Sequence, residues 1–458
     1  MKNKNFIIIV IGQIISLFGN AIQRFSMSLY LLEFTGSTAA FANILAISTI
    51  PYILFAPIAG MLSDRVNKKK IMVYLDFFCS ILIGGYAIIL LNGRDHEVIV
   101  AIVMFMLSIC YTLYGPAVTA SIPQIVEEDK LTSANGIINQ VGSIVNFVGP
   151  ILAGILYGIV GIKLIVIINA ISFFASAIME LFLDIPDVVV NEEKLESNVV
   201  VTLEKNTVTT EVAATVLDSQ ASELEERAAT SKEIKENTRK EEKILSMEFI
   251  KNSFIDMGKT FKYLSKEKKV VLGIIASYAL CNIFLVPILS IVAPYFINIF
   301  LGLPSQVYGI VEGICVLGMI LGGLWISIKP TMFSMKKVHY TYFPMIVGVL
   351  LMSTLGSMKA NNYTIALLFS IGGLAIMMSL SLSNVLTLTF IQKEVPIEML
   401  GRVTAFSTAV ATISVAPGQL LYGQAIDFGI PIGIILLITA IANIALVMFV
   451  KWNVREEE

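Results

Sequence analysis

Long apolar stretches follow one another along this chain with only short polar turns between them. Twelve such stretches span roughly 6–32, 39–62, 71–92, 97–125, 132–160, 162–184, 269–300, 304–328, 338–357, 361–392, 400–428 and 430–451. Each reaches the roughly 20 mainly apolar residues that a helix needs to cross the hydrocarbon of a bilayer. Lipid offers no hydrogen-bond partner to an open backbone, so stretches of this length must be helices. The expected fold class is therefore an all-α polytopic membrane protein. Composition agrees: 56% of the 458 residues are hydrophobic and 14% are charged, against about 25% charged in soluble domains. A net charge of −2 supplies no field for nucleic acid. Cys79, Cys110, Cys281 and Cys315 lie in apolar runs without metal spacing or a disulfide framework, and His96 and His339 fall near helix ends. No metal, no cofactor and no nucleophile–base constellation is expected, so the chain does not read as an enzyme. The start MKNKNFIIIVIGQ resembles a signal peptide, but its apolar run passes residue 30 without a small-residue cleavage site. A retained first helix is expected.

Positive charge orients the helices. Lys and Arg in short loops and tails number fourteen on one side, against Arg94, Lys163 and Lys359 on the other. The positive-inside rule then puts both termini in the cytoplasm of a cell-membrane protein. Four regions follow: a six-helix bundle over 1–184, a linker over 185–245, an amphipathic lead-in helix over 246–268 and a second six-helix bundle over 269–458. The linker is rich in Glu, Lys, Thr, Val and Ser and has too weak an apolar period to offset the entropy of ordering. In the lead-in, Phe249, Ile250, Phe254, Met257, Phe261 and Leu264 recur at helical spacing, as expected for a helix on the inner membrane face. Gly258-Lys259-Thr260 ends like a phosphate-binding loop, but Ser253 stands where the first glycine belongs and no strand precedes it.

The halves echo each other. Leu-Tyr-Gly occurs at 156–158 and again at 421–423, and Pro150 precedes Pro417 by 267 residues. Gly60 precedes Gly323 by 263. Offsets this similar indicate two parallel six-helix repeats.

Between the second and third stretches the sequence reads GMLSDRVNKKK, residues 60–70. This turn resembles the Gly-x-Leu-x-Asp-Arg-x-x-basic-basic loop of the major facilitator superfamily, with Asn67 where the family often has Gly. Gly149, Pro150 and Gly154 resemble the fifth-span motif of its exporters. GQIISLFGN (12–20), Asp76, SIPQIVEEDKLTSANG (121–136) and VEGICVLGMILGGL (311–324) resemble the drug:proton antiporter branch that includes macrolide efflux proteins and a siderophore exporter. The resemblance implies two pseudo-symmetric bundles that alternate access to a central site. It also implies that Asp64 docks at the amino end of the eleventh helix, near Leu400 and Gly401, when the cavity faces out. A carboxylate there is stabilised by the helix dipole. Gly60 would allow close packing, and Arg65, Lys68, Lys69 and Lys70 would pin the turn at the surface, although the lysines could equally serve topology alone. Asp76, about a turn and a half into the third stretch, is expected to join the charges of this turn.

Polar groups inside the membrane are the remaining candidates, because ionisable side chains there are costly and are retained for function. Arg24 shares a helical face with Gln13, Ser16, Asn20 and Ser28. That face is expected to line a cavity, unless Arg24 snorkels to the surface. Glu312 stands among Gly309, Gly313, Gly318 and Gly322 and is the expected proton carrier, unless it lies wet at a helix end. Glu33 and Glu180 fall nearer span ends and rank lower.

These readings lead to one expectation: a monomeric secondary transporter that exports amphiphilic small molecules against an ion gradient, a proton gradient first. Transport of a siderophore, lipid or metabolite remains open on the same fold, because function lives in the site. A membrane receptor or scaffold working through the linker is the alternative outside transport.

Overall fold

The computed structural model describes residues 4–127, 130–185, 247–328 and 338–455. The linker, apart from Ile185, lies outside them. So do the side chains of Asp64 and Arg65, and with them the latch expected of Asp64.

The first half contains α1 (Lys4–Thr35), α2 (Thr38–Arg65), α3 (Lys68–Leu91) and α4 (Glu97–Ile125). The segment Leu131–Glu180 follows, broken at Gly161 into α5 (131–160) and α6 (162–180). Gly161 takes φ 68°, a left-handed turn that glycine adopts without steric cost. The second half contains α7 (Lys269–Phe300), α8 (Ser305–Ile328), α9 (Phe343–Leu355), α10 (Asn362–Glu394), α11 (Ile397–Ile413 and Val415–Asp427) and α12 (Ile432–Arg455). Among the described residues, nine stretches are long and apolar enough to cross a membrane, one of them the pair that Gly161 divides. The shorter apolar stretches Thr38–Tyr52 and Phe343–Leu355 belong to α2 and α9. The twelve expected helices are all present.

Caps set several helix starts. Ser37 accepts from Ala40 N at the start of α2, and Asn67 accepts from Lys70 N at the start of α3. Each satisfies a backbone donor that the first turn leaves without a partner. The outer faces are apolar: Ile81, Ile88, Ile171, Phe182 and Ile328 are all more than 60% exposed. A surface with so much exposed aliphatic area suits lipid rather than water.

The halves meet along two seams, α2 with α11 and α5 with α8. These exchange under a six-helix repeat, since α2 corresponds to α8 and α5 to α11. Glycines bring the backbones together. A Cβ on Gly154 would lie 2.6 Å from Ser305 O and 3.0 Å from Gly309 Cα, and one on Gly423 would lie 2.8 Å from Thr38 O. The lead-in helix, Met247–Glu267, is partly covered by protein: Leu264 is fully buried in a cluster with Phe390, Val403 and Phe406. Gly258-Lys259-Thr260 lies inside this continuous helix, not in a loop.

Candidate functional site

A cavity of about 560 Å³ lies between the halves. α1 contributes Asn20, Gln23, Arg24 and Ser28, and α8 contributes Tyr308, Glu312, Val316 and Met319 from the opposite side. The π-helical turn at Ile288–Val292, just after Pro287, presents Leu289 and Ser290 to the same space. Wide turns of this kind occur often at functional sites.

Among the described residues, one cation and one acid line this cavity, from different halves. Arg24 acts electrostatically on Glu312 and Tyr308, and Tyr308 stands one helical turn before Glu312 on the same wall. Arg24 and Glu312 make no direct ion pair. The Phe25 ring stacks on Tyr308 with centroids 4.8 Å apart, which fixes the turn of α1 carrying Arg24 against the turn of α8 carrying Glu312. The remaining wall is largely apolar and rich in methionine: Met27, Met104, Met319 and Met377. Flexible thioethers adapt to ligands of varied shape.

The expected polar face of α1 divides. Asn20, Arg24 and Ser28 line the cavity, whereas Gln13 and Ser16 are buried away from it. Asp76, expected among the charges of the 60–70 turn, is only 2% exposed and accepts a hydrogen bond from Ser16. Its expected partners in that turn, Asp64 and Arg65, lie outside the described side chains. Lys68 is buried, Lys69 is half-buried and Lys70 is exposed. Pro150 lines the cavity, and a Cβ on Gly149 would approach Ala21 Cβ to 2.8 Å. The fifth-span motif therefore packs α5 against both α1 and α8.

Asp427, at the end of α11, was not marked out by the sequence. Its carboxylate accepts from Ser37 Oγ at 2.5 Å, Thr38 N at 2.8 Å and Ala39 N at 3.2 Å. It thus caps the amino end of α2 across the halves, at the end of the molecule remote from the termini. Ser305 Oγ donates to Gly154 O at 3.2 Å at that same end. Tyr52 and Gln419 also line the cavity, and the only signal that could have found them is the polar interruption of an apolar helix.

A family model described as Major Facilitator Superfamily matches residues 9–419. Macrolide efflux protein A of Streptococcus pyogenes is 28% identical over 194 residues, 42% of this chain and 48% of that protein. An uncharacterized MFS-type transporter, YkuC of Bacillus subtilis, is 22% identical over 179 residues, 39% of this chain and 41% of that protein. The chain thus spans about half the length of the curated relatives it matches. Among solved structures, a variant of the nucleoside transporter NupG superposes with TM-score 0.70 at 14% identity, covering 98% of this chain and 100% of that one. A bacterial homologue of the iron transporter ferroportin, in an inward-facing state, gives TM-score 0.66 at 15% identity over 98% and 99%.

Proposed function

The chain belongs to the major facilitator superfamily, and from that premise we propose a proton-coupled exporter of amphiphilic small molecules, working in a bacterial cell membrane. The observation that carries this reading is the facing of Arg24 and Glu312 across one cavity from opposite halves. A charge pair split between two moving bodies ties protonation to their relative tilt, because neutralising the acid removes its attraction to the arginine. The apolar, methionine-rich wall suits an amphiphile, and the name of the partial relative, macrolide efflux protein A, supports the outward direction.

With the termini in the cytoplasm, as the distribution of Lys and Arg supports, the Asp427 contact lies on the outer side. It then closes the cavity outward, as Asp64 would close it inward in the opposite pose. α2 and α11 would carry one carboxylate latch at each end, each engaged in one facing state. Asp427→Asn weakens the outer latch by removing a charge from a helix amino end. At about 0.3–1 kcal/mol for an exposed charge at a helix amino end, the balance of states shifts about 2–5-fold towards outward-facing. Spin labels on the outer ends of α2 and α11 should report a longer separation. An unchanged distance distribution would reject the latch.

The transport reading is tested with everted membrane vesicles acidified inside and offered a panel of amphiphilic drugs, siderophores and lipids. Uptake of at least one drug-like compound that a protonophore collapses is expected. Uptake indifferent to the gradient, or driven by sodium, would count against proton exchange, and movement of a siderophore or lipid alone would reassign the cargo. Deleting residues 190–240 should leave export intact. Loss of all activity on that deletion would instead favour a receptor or scaffold role.

A further inference from the structure

A second polar cluster is buried inside the first half, apart from the cavity. Glu180 of α6 is 0% exposed, and Tyr114 of α4 donates to its Oε1 at 2.6 Å. Ser16 of α1 donates to Asp76 Oδ2 at 3.1 Å and lies 2.9 Å from Ser176 Oγ of α6. None of these five residues lines the cavity. A Cβ on Gly12 of α1 would lie 3.7 Å from Ser176 Oγ and 3.8 Å from Glu180 Oε1, so Glu180 stands beside the Ser16 contacts to Asp76 and Ser176.

Two further observations point to a missing proton. Glu180 Oε2 is buried without any hydrogen-bond partner. Tyr111, one turn before Tyr114 on α4, lines the central cavity, and its own hydroxyl is also without a partner. That hydroxyl is within electrostatic reach of Asp76. A donor without a partner therefore lies on the cavity side of the cluster, and an acceptor without one lies deeper in.

The titratable groups facing the pair are Tyr111, Tyr114 and Cys110 of α4 and Cys79 of α3. None of them carries positive charge. Among the described residues no lysine, arginine or histidine bonds either carboxyl, and no group of three side chains could hold a metal ion. Two carboxylates withdrawn from water, close together and without a cation, cannot both stay charged cheaply. One bound proton removes the repulsion and supplies the donor that the cluster lacks.

We propose that Asp76 and Glu180 form a proton-binding site holding one proton, separate from Glu312, with Tyr111 as its opening to the cavity. Binding converts one carboxylate into a carboxylic acid and leaves the pair with a single negative charge. The proposal depends on neither the cargo nor the direction of transport.

Infrared spectroscopy of the full chain in lipid nanodiscs at neutral pH tests it through the carboxylic-acid C=O band. The wild type and Glu312→Gln should both show a protonated carboxyl, and adding Asp76→Asn with Glu180→Gln to Glu312→Gln should remove it. Both replacements imitate the neutral acid in shape, so the folded protein should be retained. The wild-type and Glu312→Gln spectra require no change at the cluster in any case. Absence of the band from Glu312→Gln, or its survival in the triple variant, overturns the proposal. A band that vanishes on adding sodium at constant pH assigns the site to that cation and overturns it equally.

Discussion

Gly154→Val should hold the halves apart at the end remote from the termini and slow transport about tenfold or more. In the structure a Cβ at this position would already stand 2.6 Å from Ser305 O and 3.0 Å from Gly309 Cα. Both are backbone atoms of α8, so no side chain can swing away to make room. A valine adds two further methyl groups to that clash. Overpacking of a tight contact costs about 1–3 kcal/mol. Spent against one facing state only, that energy shifts the equilibrium between states about 5–150-fold. Cysteines placed at the ends of α5 and α8 remote from the termini should become reactive to a membrane-impermeant reagent, while binding of a transported compound persists. Gly84→Ala is the control, because its Cβ would meet nothing within 4 Å. Gly154→Val with wild-type transport and unaltered cysteine reactivity would show that the α5–α8 seam does not need to close.

Glu312→Gln should abolish uphill transport while leaving downhill exchange. Glutamine keeps the shape of the side chain and can still meet Tyr308, but it takes no proton and offers Arg24 no charge. A pH difference of one unit is worth about 1.4 kcal/mol per proton, which can sustain about a tenfold cargo gradient for each proton exchanged. Without the carboxyl the accumulation ratio should fall to about one, with counterflow of labelled cargo retained. Continued accumulation by the variant would remove Glu312 from the coupling step. Arg24→Gln should lower transport as well, since it removes the charge that Glu312 faces across the cavity.

Much of the helical architecture was legible because it is local. Hydrophobic length and the absence of backbone partners in lipid leave no alternative to helices, and α4 occupies 97–125 as expected. Gly161 breaks the fused segment where the fifth and sixth stretches meet. The candidate site was legible only in part. Arg24 and Glu312 stood out as charges in apolar runs, and both line the cavity. Gln13 was equally conspicuous yet is buried elsewhere, because a polar face on a helix does not reveal which neighbour covers it. For Asp76 the spacing gave the depth, whereas its partner Ser16 is 60 residues away in the chain. Asp427 passed unremarked because an acid after an apolar helix looks like any loop residue.

The order of apolar and polar residues alone determined that this chain crosses a membrane repeatedly as helices, in two related sets. Those outcomes follow from the cost of unpaired backbone in lipid, which each segment meets by itself. Only the tertiary structure decided which charges share the cavity, which acids are buried together and where α11 grips α2. Contacts such as Asp427 with Ser37 join residues 390 positions apart, and helix packing, not local pattern, sets which faces meet at that range.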